Sequence, residues 1–330
     1  MRAVKEADMK ANEGRLAVAG SESAASPPRI AVVVPCHDEA ESIARVVAAF
    51  KSRLPDADLV VVDNASQDET AVEAQRAGAR VVGESRLGKG FALLTGFAET
   101  RDADWTIMVD GDDTYAAEDV EQLLTTALQT QADMVVGTRL EGAGVDALPP
   151  GHSFGNRLFI ALARFLFGLR TRDLFSGYRV LSRRFLDMTP LVATGFDVEA
   201  ELSVQAQVSG FRVAEVPIGY RARPTGSMSK LHTWRDGYRI LRGIMILFRD
   251  YRPMAFFGAL CLMLLGASLW SGFAPIDDFL RTGLVHHVPR AILAAALFIL
   301  SALSIALGIL LSSINRRSIE LAALIRKSSP

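Results

Sequence analysis

The chain has 330 residues, half of them hydrophobic, a positive mean hydropathy and a formal net charge of −1. That length suits one domain plus an appendage, and the absence of a basic excess excludes the usual electrostatic footprint of a nucleic-acid binder. Two cysteines, Cys36 and Cys261, make neither a disulfide framework nor a zinc site, and they fit a reducing environment around the main domain.

Residues 1 to about 27 carry few large apolar side chains and run into Ser26-Pro27-Pro28. No continuous apolar stretch follows Arg2, so a disordered tail is expected rather than a signal peptide. Ile30-Ala31-Val32-Val33-Val34 is a continuous, β-branched first strand of the kind covered on both faces, stopped by Pro35. A helix is expected from about Glu41 to Phe50. Leu59-Val60-Val61-Val62 is the second strand, ending at Asp63, and Ser66-Gln67-Asp68-Glu69 is a capping-box pattern that opens a helix. Ala79 to Val82 reads as the third strand, Lys89 to Thr100 as the third helix, and Trp105 to Val109 as the fourth strand. Strands and helices alternate with short connections, which predicts an α/β fold with a mostly parallel sheet.

The fourth strand breaks abruptly into Asp110-Gly111-Asp112-Asp113-Thr114. Open α/β sheets bind ligands at the carboxyl ends of their strands. Asp110 and Asp112, at i and i+2, could there share one hard divalent ion such as Mg²⁺, which takes one or two carboxylates plus water and substrate phosphates. The competing reading is a plain Asp/Gly turn. An EF-hand is excluded, because Tyr115 stands where its loop requires glycine. Pro35 to Glu39, Asp63 and Asp110 to Asp112 follow three successive strands and so share one rim. Gly88-Lys89-Gly90 lacks the Ser/Thr of a P-loop, yet as a helix opening it offers N–H groups and an ammonium to a diphosphate; a solvated helix start is the alternative.

The motif order resembles the membrane-associated family 2 glycosyltransferases of GT-A fold, near the dolichyl- and polyprenyl-phosphate sugar synthases. Val33-Val34-Pro35-Cys36-His37-Asp38-Glu39 stands at the family's Pro-x-Tyr-Asn-Glu start, and Val61 to Thr70 at its Val-Asp-Asp-Gly-Ser-x-Asp-x-Thr element. Gly88-Lys89-Gly90, Asp110-Gly111-Asp112, Gly137-Thr138-Arg139, Asp173-Leu174-Phe175-Ser176-Gly177-Tyr178-Arg179 and Glu215-Val216-Pro217-Ile218 follow in family order. The resemblance implies that Pro35, Glu39 and Asp63 hold the nucleoside, with Lys89 and Asp110 at the donor diphosphate and Asp110 and Asp112 on Mg²⁺ or Mn²⁺. It sets Asp112 and Asp173 in the chemistry, Asp173 as orienting group or base, and Arg139, Ser176, Arg179, Arg223 and Lys230 at an acceptor phosphate. The family's Tyr-Asn is His37-Asp38 here, and Thr114 stands where some relatives add a Gln ligand.

Beyond the domain at 28–231, residues 232–252 read as an amphipathic helix in which Trp234, Tyr238, Leu241, Met245 and Phe248 recur among arginines, the composition of an interfacial helix. Within 253–330, two uncharged runs, about 254–276 and 291–314, are each long enough to span a bilayer. Arg249 and Arg252 precede the first span, and Arg316, Arg317, Arg326 and Lys327 follow the second. Positive-inside logic therefore places the catalytic domain and C-terminus in the cytoplasm, with a bacterial inner membrane the expected setting. The implied activity is an inverting, metal-dependent transfer of a hexose from a nucleotide-sugar donor, UDP-glucose or GDP-mannose in class, to a polyprenyl-phosphate lipid acceptor. Other membrane lipid or glycan acceptors, a processive synthase and a silent scaffold are the alternatives. The synthase lacks its Gln-x-x-Arg-Trp motif, and the intact Asp-x-Asp opposes the scaffold. The oligomeric state is left open, a homo-oligomer included.

Overall fold

The computed structural model describes residues 27–139, 150–169, 171–191, 198–221 and 233–328. Strands β1 (Ile30–Cys36), β2 (Asp58–Asp63), β3 (Arg80–Gly83) and β4 (Trp105–Met108) alternate with helices α1 (Ile43–Arg53), α2 (Thr70–Arg76) and α3 (Lys89–Glu99). A 3₁₀ turn at Ala117–Asp119 leads into α4 (Val120–Thr130), and β5 (Met134–Thr138), α5 (Pro150–Phe167), β6 (Arg179–Ser182), α6 (Arg183–Met188), α7 (Val198–Val208) and β7 (Val213–Pro217) complete the catalytic domain. The seven strands form one sheet in the order β3-β2-β1-β4-β6-β5-β7. Only β6 runs antiparallel, pairing with β4 on one side and β5 on the other, so the expected mostly parallel sheet is present.

Alternate residues of the central strands feed two separate cores, as period-2 geometry requires. Val32, Val34 and Cys36 of β1 pack under α1, α2 and α4, whereas Val33 packs with Val60, Val62 and Met108 under α3, α6 and α7. The strand β1 runs through Pro35, which the sequence reading took as its stop. Val33 and Pro35 direct their main-chain groups to the same side, toward β4, and the β4 pairing ends at Val33. Pro35 therefore has no ladder bond to forfeit by lacking an N–H. The capping box does not form either: α2 starts at Thr70, whose N–H is taken by Asp68 Oδ1 at 3.0 Å, while the Ser66 hydroxyl accepts the Asp38 N–H instead.

A third cluster joins α5 and α7 to α8 (Thr233–Tyr251) through Phe167, Val204, Ile244, Leu247 and Phe248. Two long helices follow, α9 (Pro253–Thr282) and α10 (Val288–Ser328). Both are long and apolar enough to cross a membrane, and only 6% and 17% of their most apolar stretches are covered by protein. A helix in a soluble core would be buried. They extend past the expected spans, and α10 continues through Arg316 and Arg317. The pair is closed by small and hydroxyl residues: the Ser268 hydroxyl donates to the Ala294 carbonyl at 2.8 Å, Ser301 donates to the Cys261 carbonyl at 3.1 Å, and Gly308 lies against Phe257. This is the packing expected where no hydrophobic force acts between helices. Two further bonds tie the α/β domain and α8 to the pair. The Arg252 guanidinium donates to the Phe167 carbonyl at 3.0 Å, and the Asn315 amide donates to the Asp250 carbonyl at 2.6 Å.

Candidate active site

The loops that leave the carboxyl ends of β1 and β2 are laced into one wall. His37 Nδ1 lies 2.8 Å from the Asn64 carbonyl, the Gln67 N–H donates to Asp38 Oδ1 at 2.7 Å, and the Ala40 N–H donates to Asp68 Oδ2 at 3.1 Å. The expected nucleoside residues belong to this wall: Pro35 is buried at the end of β1, Asp63 ends β2 and accepts the Ser66 N–H at 3.3 Å, and the Glu39 N–H donates to Thr70 Oγ1 at 2.8 Å. Asp38, Ala65 and Asp113 adopt positive φ at 52°, 55° and 59°. Non-glycine residues rarely do so, and such outliers concentrate at functional rims.

Asn64 is the staple between this wall and the phosphate side, and its role was not read from the sequence. Its amide donates to the Glu84 and Arg86 carbonyls at 3.2 and 2.7 Å, and its Oδ1 accepts the Gly88 N–H at 2.7 Å. Gly88, at φ 145°, takes a conformation suited to glycine alone and turns the chain into α3, with Lys89 as its first residue. The Lys89 ammonium points inward, 2.5 Å from Asp110 Oδ1 and bonded also to Glu199 Oε1. Burial alone would lower the Lys89 pKa, but Asp110 and Glu199 hold it above the ordinary lysine value. Glu199, the second residue of α7, was not singled out in the sequence.

β4 ends at Met108, so Asp110 and Asp112 sit on a turn and not on the strand that the i, i+2 reading assumed. The turn is fixed from several sides. Ser42 Oγ donates to the Gly111 carbonyl at 2.7 Å, Asp112 Oδ1 accepts the Thr114 hydroxyl at 2.6 Å and its N–H at 3.2 Å, and Arg45 pairs with Asp113 at 2.9 Å. The Asp/Gly turn that the sequence offered as the competing reading is therefore formed, with Asp112 as its acceptor. Asp112 is 5% exposed, while the Asp110 carboxylate keeps 27% of its surface toward the rim. Glu39, Asp110, Asp63 and Asp112 lie near enough together that, after burial, their charges are what raise the Cys36 thiol pKa further.

On the other flank the Asp173 carboxylate, 1% exposed, is gripped by Arg139: Nε to Oδ2 at 2.7 Å, Nη2 to Oδ1 at 2.8 Å, and the Arg139 N–H to Oδ2 at 3.2 Å. Burial opposes its charge, but the guanidinium outweighs burial and keeps the Asp173 pKa below the usual carboxylate value. Both of its oxygens are engaged by Arg139. Arg179, expected at the acceptor phosphate, is 0% exposed and braces the 173–178 loop from within. It donates to the Ser176 and Leu174 carbonyls and to Ser203 Oγ, each at 2.9 Å. Ser176 is likewise fully buried, its hydroxyl taking the Tyr178 N–H at 3.3 Å. Arg223 and Lys230 lie outside the described residues.

Three loops meet through Tyr115. Its hydroxyl accepts the Gly177 N–H at 2.9 Å, its ring packs edge-on against Tyr178 and Tyr220, both at 5.5 Å, and Tyr220 lies under the Arg139 guanidinium at 5.4 Å. The Arg221 N–H to Thr114 carbonyl bond, 2.9 Å, closes the seam. The Gly177 α-carbon presses on Asp110: a methyl there would lie 2.4 Å from Asp110 Oδ2. The acidic turn, the Asp173 loop and the segment that follows β7 are therefore joined into one rim.

Residues 31–188 match the profile of Glycosyl transferase family 2. Glycosyltransferase AglJ of Haloferax volcanii is 34% identical over 235 residues, 71% of this chain and 77% of the relative. A dolichyl-phosphate hexose transferase of the same organism is 32% identical over 219 residues, 66% of this chain and 92% of the relative. Among solved structures, glucosyl-3-phosphoglycerate synthase from Mycobacterium tuberculosis, in complex with Mn²⁺ and uridine-diphosphate-glucose, aligns with a TM-score of 0.56 at 25% identity, over 70% of this chain and 81% of that one. With the sheet order, the acidic turn at its rim and these matches together, the chain belongs to glycosyl transferase family 2, as a glycosyltransferase of GT-A fold carrying two long apolar C-terminal helices.

Proposed function

We propose that this glycosyltransferase moves a hexose from a nucleotide-diphosphate sugar to a polyprenyl phosphate at the cytoplasmic face of a membrane. The observation that carries the reading is the join between rim and membrane. The helix that braces the Asp173 loop side, α8, runs through Arg252 directly into the apolar α9. The relative named for dolichyl-phosphate hexose transfer supports the lipid acceptor, and the structural neighbour bound to UDP-glucose supports the donor class. That neighbour's name specifies a phosphoglycerate product, and the two apolar helices favour a lipid over such a water-soluble acceptor here.

Asp110 and Asp112 suit a hard divalent cation such as Mg²⁺ or Mn²⁺. Asp110 already draws a cation, the Lys89 ammonium, onto one oxygen, and two carboxylates with room for phosphates are the donor set such ions prefer. When bound, the ion neutralises charge building on the departing diphosphate. The β1–β2 wall, with Pro35, Glu39 and Asp63, holds the nucleoside, and the Gly88 turn and Lys89 face its diphosphate. The acceptor phosphate, largely ionised at neutral pH by a second pKa of about 6, supplies the oxygen that bonds to the anomeric carbon. The sugar–diphosphate C–O bond breaks on the opposite face, and its electron pair leaves with the nucleoside diphosphate. No proton transfer is required, which suits an Asp173 locked to Arg139. Arg223 and Lys230 are the cations assigned to the acceptor, together with Arg139, whose Nε and Nη2 are held by Asp173.

The cytoplasmic orientation is supported by arginines at 249, 252, 316 and 317 at one end of the helix pair, against Arg281 and Arg290 at the other. The test is to incubate the protein in nanodiscs with labelled UDP-glucose, GDP-mannose and related donors, polyprenyl phosphate and Mg²⁺ or Mn²⁺, then extract lipid. One donor should label the lipid, and Asp112→Ala should abolish it. Label passing only into water-soluble product would overturn the acceptor assignment.

A further inference from the structure

Lys89 does something in this structure that diphosphate binding does not require. As the first residue of α3 it stands at a helix N-terminus beside the rim, a position suited to phosphate. Its side chain is nevertheless only 10% exposed and is inserted between the Asp110 and Glu199 carboxylates. Glu199 is 3% exposed, and its second oxygen, Oε2, has no hydrogen-bond partner. Two carboxylates therefore share one ammonium, and one buried oxygen is left unsatisfied, a costly arrangement in a low-dielectric setting. Within the cluster the Lys89 ammonium is the cation in contact with both carboxylates, and the buried Arg179 guanidinium acts on Glu199 from a distance. The same ammonium occupies the oxygen of Asp110 that faces it, and Asp110 is half of the acidic clamp.

We propose that Lys89 is a counter-ion that competes with the divalent cation for Asp110. In the donor-free enzyme it holds Asp110 against Glu199. An arriving nucleotide diphosphate offers the ammonium a third anionic partner, and the cation gains Asp110 as Lys89 withdraws from it. The inference rests on the clamp role proposed above for Asp110 and Asp112. Lysine suits the task because its ammonium is a compact point charge on a flexible stem, able to change partners, where a guanidinium would lock bidentately onto the carboxylates. Cation and nucleotide binding are then coupled through one side chain, and the coupling is reciprocal by linkage.

The experiment measures Mn²⁺ binding, by the free-ion EPR signal, to the full-length protein in nanodiscs, alone and with saturating UDP or GDP. The wild type should bind Mn²⁺ weakly alone and at least tenfold tighter with the matching nucleotide. Lys89→Met should bind Mn²⁺ alone at least tenfold tighter than wild type and lose most of the nucleotide effect. Its Tm should also rise more on adding Mn²⁺, because the ion restores the missing charge. Lys89→Arg keeps the charge and should bind Mn²⁺ alone no tighter than wild type. If Lys89→Met binds Mn²⁺ alone no tighter than wild type, or Lys89→Arg binds it tighter, the competition is refuted and the clamp stands. If wild type and both variants fail to bind Mn²⁺ with or without nucleotide, the clamp reading itself falls and the inference with it.

Discussion

Replacing Gly177 with alanine puts a methyl group where the Asp110 carboxylate now stands. The added carbon would lie 2.4 Å from Oδ2 and 2.7 Å from both Cγ and Oδ1, whereas ordinary contact begins at 3.4 Å. Relief requires the carboxylate to move by about 1 Å, because Gly177 is itself held by its N–H bond to Tyr115. Asp110 is partly exposed and can swing outward, so the cost in stability should be at most about 1 kcal/mol, the low end for overpacking. Its effect on the reaction should be far larger. A shift of that size separates Asp110 from the 2.5 Å contact with Lys89 and misplaces the clamp, and misplacement by 1 Å costs on the order of 10²-fold in rate. The assay is lipid-extractable transfer in nanodiscs with donor and Mn²⁺ varied, alongside Tm. Gly177→Ala should lose about two orders of magnitude in kcat/KM with Tm nearly unchanged. Activity within threefold of wild type would refute the claim that the glycine exists to admit Asp110.

Thr114→Val removes the hydroxyl bonded to Asp112 at 2.6 Å; loss of one buried bond should cost about 1–2 kcal/mol by denaturant titration and weaken Mn²⁺ binding in the presence of nucleotide. Arg179→Met strands the Ser176 and Leu174 carbonyls, while the Ser203 hydroxyl keeps its bond to the Glu199 carbonyl, so it should destabilise by roughly 2–4 kcal/mol; normal stability with a raised acceptor KM would restore Arg179 to the acceptor site. Asp173→Asn breaks the grip of Arg139, and because that guanidinium is 24% exposed the loss should fall near the bottom of the range for buried pairs, about 2–3 kcal/mol. The folded-state pKa of Asp173 is depressed, so its contribution is complete above the unfolded value of about 3.9 and is lost as pH falls through the folded value. The stability gap between wild type and Asp173→Asn should therefore be constant from about pH 5 to 8 and shrink below about pH 4.

The first half of the fold was legible because its strands are continuous β-branched runs that end in turn residues, and a parallel sheet gathers such ends onto one rim. Pro35, Asp63, Asp110 and Asp112 are found there for that reason. The strands β5 to β7 were invisible to periodicity: β6 is four residues long, begins with a charged residue and reverses direction. Arg179 was placed at the acceptor by motif order alone, and what buries it, three acceptors from the 174–176 turn and α7, is tertiary and invisible to a motif. Glu199 was hidden for a related reason. The helix α7 is buried along nearly its whole length, so it has no polar face against which a functional acid could stand out. The Glu199 carboxylate belongs to Lys89, a partner 110 positions away in the chain.

The bonds from Arg252 to the Phe167 carbonyl and from Asn315 to the Asp250 carbonyl hold the α/β domain and α8 to the helix pair at their junction. On the proposed reading these two rivets set the altitude of the rim above the bilayer. An isoprenoid tail of any length leaves that altitude unchanged, since extra units stay submerged. A spacer inserted between tail and phosphate would instead lift the nucleophile past its target, so on the proposed reading this enzyme measures acceptors by height.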